Sequence, residues 1–448
     1  MEINNYTKAY TNLKKSQCNV FPDIIRKEKD DAFDFLKKHG LPGRQDERYR
    51  YLDFDVVFDE KYSLVLHKQK LEVDLNEFFH CEVEDLDTEL ILLSNGFYYD
   101  STHNGRLPDS VIVCSMQEAF HKYPTLVSEH FNRYLKERGD GWAALNTMLA
   151  NDGVFIHVPD NIHVPKPIQI VNLTHGFYEK ELFQRNLFVV GENASLKLVL
   201  CDHSLNNAKT VSHLASELYV GKNAGLQIYN LQNEPDGNNI FNHMAIHQEA
   251  GSELLSFAFS LHGGSIRNNI YATLNGPHAN SNIFGLTLSD RQQHMDNFVF
   301  VDHAVPDCTS NAFFKSILDE SSSGAFSGRV LVQRDAQRTT AYQTNNNICL
   351  TNTSQMRTKP QLEIYADDVK CSHGATIGQL DEEAMFYLRT RGIDKAEARF
   401  MMMFAFANEV VRKIDIEPLR NRVESLVSKR LRGDEVLCEH CLLNCNER

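Results

Sequence analysis

The chain has 448 residues, with 46 Lys or Arg against 60 Asp or Glu, which gives a formal net charge of −14 at pH 7. An acidic chain of this kind repels phosphate backbones, so we expect no nucleic-acid partner. Hydrophobic residues make up 42% and charged residues 24%, values that exclude a mostly disordered or fibrous chain.

The first residues, Met1 to Thr7, lack the basic start and the apolar stretch of a secretory signal. The apolar island at 400–407 is far shorter than the roughly 18 residues that a membrane span needs, so we expect no membrane segment. Ten cysteines in a chain without an export signal indicate reduced thiols. We therefore expect a cytoplasmic protein.

Residues 1–140 are predicted to form an N-terminal α/β domain. Residues 30–39 carry apolar side chains at Ala32, Phe33 and Leu36 and predict a short amphipathic helix that ends at Gly40. The apolar runs 64–66 and 90–93 are typical of buried strands, and 115–138 has a helical pattern.

Residues 141–378 have a different pattern, because short apolar segments alternate with turns rich in Asn, Gly and Ala. Leu196, Leu226, Leu254 and Ile283 open successive segments at steps of 30, 28 and 29 residues. A small-residue turn followed by an alternating strand, at a nearly fixed period, is typical of a solenoid. The strands are β-rich, so a mainly β fold with a parallel β-helix core is predicted, and an irregular β-sandwich is the alternative.

Residues 379–448 are predicted to form a C-terminal helical domain. Asp381 and Asp394 are N-cap residues of two helices, and Glu417 with the proline after it opens a third. Gly392 and Gly433 end the first and the third helix. The second helix, which runs towards 414, is apolar on nearly every side, so it either fills a core or docks onto a partner.

The segment 359–378 is the richest in side chains that can bind a metal or take part in a reaction, and in it Cys371 and His373 are two residues apart. In an extended strand both side chains project from one face, and a thiolate and an imidazole suit iron, an iron–sulfur cluster or zinc. Lys370 and His373 are expected to favour the thiolate of Cys371. Two ligands make half of a site, so another chain would supply the rest. A packed strand end before a helical cap is the alternative.

Two further groups carry metal-ligating residue types. Three tail cysteines lie at positions i, i+3 and i+7, on one face of a helix: Cys438, Cys441 and Cys445. They resemble part of a zinc site but lack a second Cys-x-x-Cys, so a chain terminus with incidental cysteines is the preferred interpretation. Another three share one strand face, where a solvated β-helix face is preferred over a metal site: His243, His247 and Glu249.

Several blocks match a known family in register: 40–51, 153–159, 314–318, 328–332, 341–344, 358–376 and 386–392. On these blocks the chain closely resembles the SufB/SufD family of the SUF iron–sulfur cluster assembly machinery, and within it the SufD branch. The family usually has Trp where this chain has Tyr49.

The resemblance implies a right-handed parallel β-helix core between an N-terminal domain and a C-terminal helical domain. It implies a non-catalytic scaffold that pairs with SufB through the β-helices and binds the ATPase SufC through its C-terminal helices. His373, in the Cys-Ser-His-Gly-Ala-Thr motif, would then be a ligand of a transient iron–sulfur cluster at the SufB–SufD interface, with Cys371 as a second, weaker candidate. No permanently bound cofactor is implied, and self-pairing as a homodimer is an alternative for the isolated chain.

The chain has no Gly-x-x-x-x-Gly-Lys-Ser/Thr loop to hold nucleotide phosphates, so ATP hydrolysis is expected from a partner.

Two other functions compete with the scaffold. A carbohydrate-active β-helix enzyme would need clustered carboxylates and, typically, export, neither of which is clear in this chain. A stand-alone zinc protein would depend on the tail cysteines.

Overall fold

The computed structural model describes residues 3–16, 21–58, 61–69, 86–101, 107–205 and 208–434. Two ten-stranded sheets, here called sheet 1 and sheet 2, dominate these residues. Helices of the N-terminal region lie on sheet 1, and helices of the C-terminal region lie on sheet 2. The fold is therefore mainly β, with an N-terminal α/β region and C-terminal helices, as predicted. None of the helices in these ranges combines the length and apolar character needed to cross a bilayer.

Sheet 1 contains, in spatial order, β4 (Ile112–Ser115), β5 (Val154–Val158), β7 (Lys180–Val190), β9 (Thr210–Val220), β11 (Asn238–Gln248), β13 (Ser265–Leu274), β15 (His294–His303), β17 (Ser323–Val332) and β19 (Gln355–Ile364), and β1 (Ser63–Val65) pairs with β7. Sheet 2 contains β3 (Phe97–Ser101), β2 (Glu89–Ser94), β6 (Ile168–Thr174), β8 (Ser195–Ser204), β10 (Gly225–Asn233), β12 (Glu253–His262), β14 (Asn280–Ser289), β16 (Thr309–Leu318), β18 (Thr339–Cys349) and β20 (Val369–Gly378).

From β5 onwards the chain alternates between the two sheets, and each strand pairs in parallel with the strand two places along the chain. One strand from each sheet makes a coil, and the coils stack into a β-solenoid of about seven turns. The predicted parallel β-helix is confirmed, and the β-sandwich alternative is wrong.

The repeat identified in the sequence corresponds to this stacking, with one correction. Leu226 lies in register between Leu196 and Leu254, as the spacing predicts. The residue opposite Leu254 on β14 is Ser281, and Ile283 lies opposite Ser256 instead. Ile283 keeps the inward face, because a shift of two residues preserves the side-chain direction of a strand.

The small-residue turns between sheets carry left-handed backbone. Asn193 and Asn223 both have φ of 53°, and the side-chain amide of Asn223 donates to the side-chain oxygen of Asn193 over 3.1 Å. In the next coil Gly251 takes the left-handed conformation with φ of 68°. Glycine adopts this conformation without strain, whereas a Cβ there would lie 2.4 Å from the Asn223 side-chain oxygen, which would have to move.

The N-terminal helices are α1 (Ile3–Ser16), α2 (Asp23–His39), α3 (Phe54–Val57), α4 (Met116–Lys122), α5 (Pro124–His130), α6 (Arg133–Lys136) and α7 (Gly141–Leu149), with a 3₁₀ turn at Glu47–Tyr49. The helix predicted at 30–39 is the second half of α2. The single helix predicted at 115–138 is divided into α4, α5 and α6, because Pro124 opens a new helix and Asn132 has left-handed backbone with φ of 58°.

A buried ion pair fastens these helices to sheet 1. Arg185 on β7 and Glu217 on β9 are both buried, and the guanidinium Nη2 lies 2.6 Å from Glu217 Oε2. The other carboxylate oxygen accepts backbone N–H groups of Tyr134 and Leu135 over 2.8 and 3.0 Å, at the start of α6. One carboxylate therefore neutralises the arginine and satisfies the first N–H groups of a helix.

The C-terminal helices are α8 (Glu382–Thr390), α9 (Lys395–Val411) and α10 (Glu417–Arg432). Asp381 and Asp394 accept backbone N–H groups as the predicted N-caps, and Gly433 ends α10 with φ of 86°. α9 and α10 pack on the outer face of sheet 2 in one apolar cluster. α9 therefore fills a core, whereas α8 contains no buried residue.

The change Glu217→Gln keeps the side-chain shape and leaves the buried Arg185 guanidinium without a counter-charge. We expect the free energy of unfolding to fall by about 3–5 kcal/mol, measured as a lower urea midpoint. Glu192→Gln is the control, because the Glu192 carboxylate lies 3.6 Å from Lys222 in an exposed pair whose loss costs at most about 1 kcal/mol. An unchanged midpoint for Glu217→Gln would contradict this account.

Candidate functional site

The candidate site lies where the solenoid ends. β19 pairs only with β17, and β20 pairs only with β18, so the described part of the chain leaves one edge of each strand open. Apart from Val369 and Cys371, which are half-buried, the residues of β20 are exposed. An exposed edge presents unpaired N–H and C=O groups and is a template for adding another strand.

Cys371 and His373 both lie on the inward face of β20. In the parallel ladder Cys371 pairs with Ala341 and His373 pairs with Gln343, and both partners on β18 are buried in the interior of the solenoid. Residues paired in register project from the same face of a sheet. The structure thus brings the two predicted ligands onto one face at the open end. Cys371 packs against the core and His373 is exposed.

The expectation that Cys371 is held as a thiolate is wrong. Burial raises the pKa of the Cys371 thiol, and only a hydrogen bond from the Ala341 backbone acts in the opposite direction. Lys370 is exposed and adjacent in the strand, so its side chain projects from the opposite face. Burial thus disfavours the Cys371 thiolate, and the exposed His373 is the better placed ligand.

Exposed apolar side chains surround this end of the solenoid. Four of them belong to the last strands or directly follow them, and we call them the rim patch: Tyr342, Ile364, Tyr365 and Ile377. A groove of about 450 Å³ opens beside Ile377 and is also lined by Cys349 and Met356. Apolar side chains next to two open strand edges favour contact with another protein.

A second exposed apolar group lies on the C-terminal helices. Phe386 and Tyr387 on α8 are 69% and 57% exposed, and Met401 on α9 is 41% exposed. We call these three residues the helix patch. Large aromatic side chains with this exposure on a helix with no buried residue indicate a docking surface rather than a core.

The other predicted metal-ligating groups do not form a site in the described ranges. No three His, Cys, Asp or Glu side chains there come close enough to hold a metal ion. His243 is buried under the N-terminal region, where Nε2 lies 3.2 Å from the Tyr49 hydroxyl, so the predicted solvated face is wrong for this residue. His247 Nε2 lies 3.1 Å from Glu249 Oε1, and the imidazole stacks on the rings of Tyr134 and Tyr219. The tail residues Cys438, Cys441 and Cys445 lie outside the described residues.

Gln343 is a buried residue of this end that the sequence did not single out. It lies in the motif at 341–344, is 2% exposed and lies directly below His373 in the ladder. Gln343 is a polar residue in an inward column that is small or apolar in the preceding coils. This exception becomes visible only when the strand register is known, and the sequence alone did not give the register.

Comparison with known proteins places these features in a family. The chain matches the family described as "SUF system FeS cluster assembly, SufBD core domain" over residues 173–406. It also matches "SufBD protein N-terminal region" over residues 1–170.

Individual relatives agree with these matches. An iron–sulfur cluster assembly SufBD family protein of Synechocystis is 29% identical over 91% of this chain and 91% of its own length. The iron–sulfur cluster assembly protein SufD of Escherichia coli is 32% identical over 64% of this chain and 69% of its own length. Protein ABCI7, chloroplastic, of Arabidopsis thaliana is 27% identical over 93% of this chain and 87% of its own length.

Because the pKa of the Cys371 thiol is raised, we predict that its alkylation requires a higher pH than that of an exposed cysteine. Because iodoacetamide reacts with the thiolate, we expect the alkylation rate of native Cys371 to keep rising above about pH 9. The rate is measured by mass spectrometry of the peptide that contains Cys371, with the urea-unfolded chain as the reference. A native profile that levels off below about pH 8 would mean that the thiolate is stabilised after all.

Proposed function

The chain belongs to the SufBD family of iron–sulfur cluster assembly proteins, and from this premise we propose that it is a SufD-like scaffold subunit. In this proposal it pairs with a SufB-like partner at the open end of its solenoid and binds a SufC-like ATPase through its C-terminal helices. A nascent iron–sulfur cluster is the cargo, assembled where the two solenoids meet.

The observation that carries the proposal is the position of His373. Its imidazole lies on the inward face of the terminal strand β20, exposed and beside an open strand edge. A partner that covers this edge would enclose the ring and bring its own ligands to the same place. The need for a partner is consistent with the described residues, where no group of three ligands is complete.

His373 would supply a nitrogen ligand to the cluster, and Cys371 would be the second ligand. Burial raises the pKa of the Cys371 thiol, so binding to iron would require loss of its proton. We assign no permanently bound cofactor, because the cluster is passed on after assembly.

Pairing with a SufB-like partner is supported by the strand edges and the rim patch. Among the described residues both sheets end in an open strand, so a second solenoid could continue both sheets through backbone hydrogen bonds. Ile377 and Tyr365, which are 50% and 63% exposed, would be covered by that contact. The same edges would serve for self-pairing when the chain is isolated.

Docking of a SufC-like ATPase is supported by the helix patch on α8 and α9. This patch lies outside the apolar cluster that fastens α9 and α10 to sheet 2, so it is available to a second protein. The chain has no phosphate-binding Gly-x-x-x-x-Gly-Lys-Ser/Thr loop, and we therefore assign ATP hydrolysis to the partner and a non-catalytic role to this chain.

The cluster site is tested with His373→Ala. The variant is co-expressed anaerobically with SufB-like and SufC-like partners, and iron and acid-labile sulfide are measured per purified complex. We expect the complex to assemble and to hold at most roughly a tenth of the wild-type cluster, because loss of a direct ligand should cost at least as much as the roughly 10–100-fold that loss of an outer partner costs. His121→Ala is the matched control, since His121 is an exposed histidine on α4, and it should keep the wild-type cluster content.

Unchanged iron and sulfide in the His373→Ala complex would contradict the assignment of His373. The chain would then be an architectural partner, and the cluster chemistry would belong to the SufB-like subunit.

The two docking surfaces are tested with a pair of variants that control for each other. Ile377→Asp places a charge in the rim patch and should abolish co-purification with the SufB-like partner while binding of the SufC-like partner is kept. Phe386→Asp changes the helix patch and should have the opposite effect. Both side chains are at least half exposed, so both variants should fold. Retention of both partners by both variants would contradict the surface assignments.

A further inference from the structure

The two open strands differ in the charge of their outer faces. On β19, Thr358 and Leu362 pair with core residues of β17 and project inward, so the alternate residues project outward. These outward residues are all polar or charged: Gln355, Arg357, Lys359, Gln361 and Glu363. The outward residues of β20 carry a single charge and are otherwise small: Lys370, Ser372, Gly374, Thr376 and Gly378.

The N-terminal region reaches the outer face of β19 through one short turn. Tyr49, in the middle of this turn, is fully buried and fastens it to sheet 1. On one side of Tyr49, the Glu47 carboxylate forms an ion pair with Lys359. On the other side, the ring centroid of Tyr51 lies 5.4 Å from the guanidinium carbon of Arg357. The turn therefore lies along the outer face of the terminal strand, beside its open edge.

Arg357 has no carboxylate partner in the described part of the chain. Its Nη2 donates to the side-chain oxygen of Gln355 over 2.9 Å, and the residue is exposed. Arg50, the neighbour of Tyr51 in the turn, is exposed as well. We call Arg50, Arg357 and Lys359 the cationic face. On a chain with a net charge of −14, this face has a local charge opposite to that of the whole molecule.

A strand added to the open edge of β19 would lie about 4.8 Å away and bring its outward side chains beside Arg357 and Lys359. Opposite charges at facing positions of neighbouring strands are favourable, and like charges there are destabilising. A strand added to β20 would meet mainly small outward side chains instead. The charge difference can therefore distinguish two edges that offer the same backbone hydrogen bonds.

We propose that the cationic face is a recognition surface for the SufB-like partner: it binds an edge strand with Asp or Glu at outward positions and so selects the strand that pairs with β19. The face is continuous with the rim patch, because Ile364 and Tyr365 end the same strand. The proposal rests on the proposed function, in which that partner covers the open end.

The first experiment measures the rate at which the full chain associates with the purified SufB-like partner. Arg357→Glu should slow association roughly ten-fold at about 0.05 M salt, and the difference should shrink at about 0.5 M salt, where surface charges are screened. Arg357→Gln should give an intermediate rate. Thermal melts establish that each variant is folded, as expected for an exposed side chain.

Lys222→Glu is the matched control, because it makes the same change in net charge at an exposed residue in the turn between β9 and β10, remote from the open end. It should leave the association rate close to that of the wild type. Equal rates for Arg357→Glu and the wild type at both salt concentrations would overturn the inference. Equal slowing by Lys222→Glu would also overturn it, since the effect would then come from net charge.

The second experiment identifies the partner's carboxylate. A carbodiimide joins an amine to a carboxylate in direct contact, so Arg357→Lys places a reactive amine on the cationic face. In the complex of this variant we expect a cross-link from position 357 to an Asp or Glu of a partner edge strand, found by mass spectrometry. The ion pair between Lys359 and Glu47 is the internal control for the reagent. Links from position 357 only to carboxylates of its own chain would contradict the proposal.

The failure of this inference can be distinguished from the failure of the proposed function. If Ile377→Asp still co-purifies with the SufB-like partner, the proposed function is contradicted and this inference falls with it. If Ile377→Asp loses the partner while Arg357→Glu associates at the wild-type rate, the inference alone is contradicted.

Discussion

The structure depends on the in-register parallel stacking of coils between two sheets. Each inner strand satisfies its backbone N–H and C=O groups with the strands of the coils on either side, so only the terminal coils have open groups. In the described residues β19 and β20 form such an end, with an apolar rim and an exposed histidine. The same rule that builds the solenoid therefore creates the surface to which we assign partner binding.

Helices from the two ends of the chain cover the outer faces of the two sheets. The open end of the solenoid therefore stays accessible to another protein. Sheet 1 is covered by N-terminal helices that are fastened by the buried Arg185–Glu217 pair. Sheet 2 is covered by α9 and α10 through an apolar cluster, where Lys315 on β16 also contacts Glu409 at 2.8 Å. α8, between the terminal strand and these helices, contributes only exposed or half-buried side chains.

Local signals in the sequence predicted the solenoid, the helix caps at Asp381 and Asp394 and the shared face of Cys371 and His373, because each depends on residues close in the chain. The errors concern contacts between distant segments. The displaced register of Ile283 depends on the length of a turn, and the buried state of His243 depends on helices that come from the N-terminal region. The raised pKa of Cys371 depends on packing against the preceding coil. The domain boundaries at 140 and 378 stay predictions.

Amide hydrogen exchange of the complex with the SufB-like partner, compared with the isolated chain, tests the central claim most directly. Our account predicts strong new protection in 355–364 and 369–378, because the open edges of β19 and β20 become paired, and little change in the inner coils. Unchanged exchange in both terminal strands, with protection elsewhere in the chain, would contradict partner binding at the open end of the solenoid.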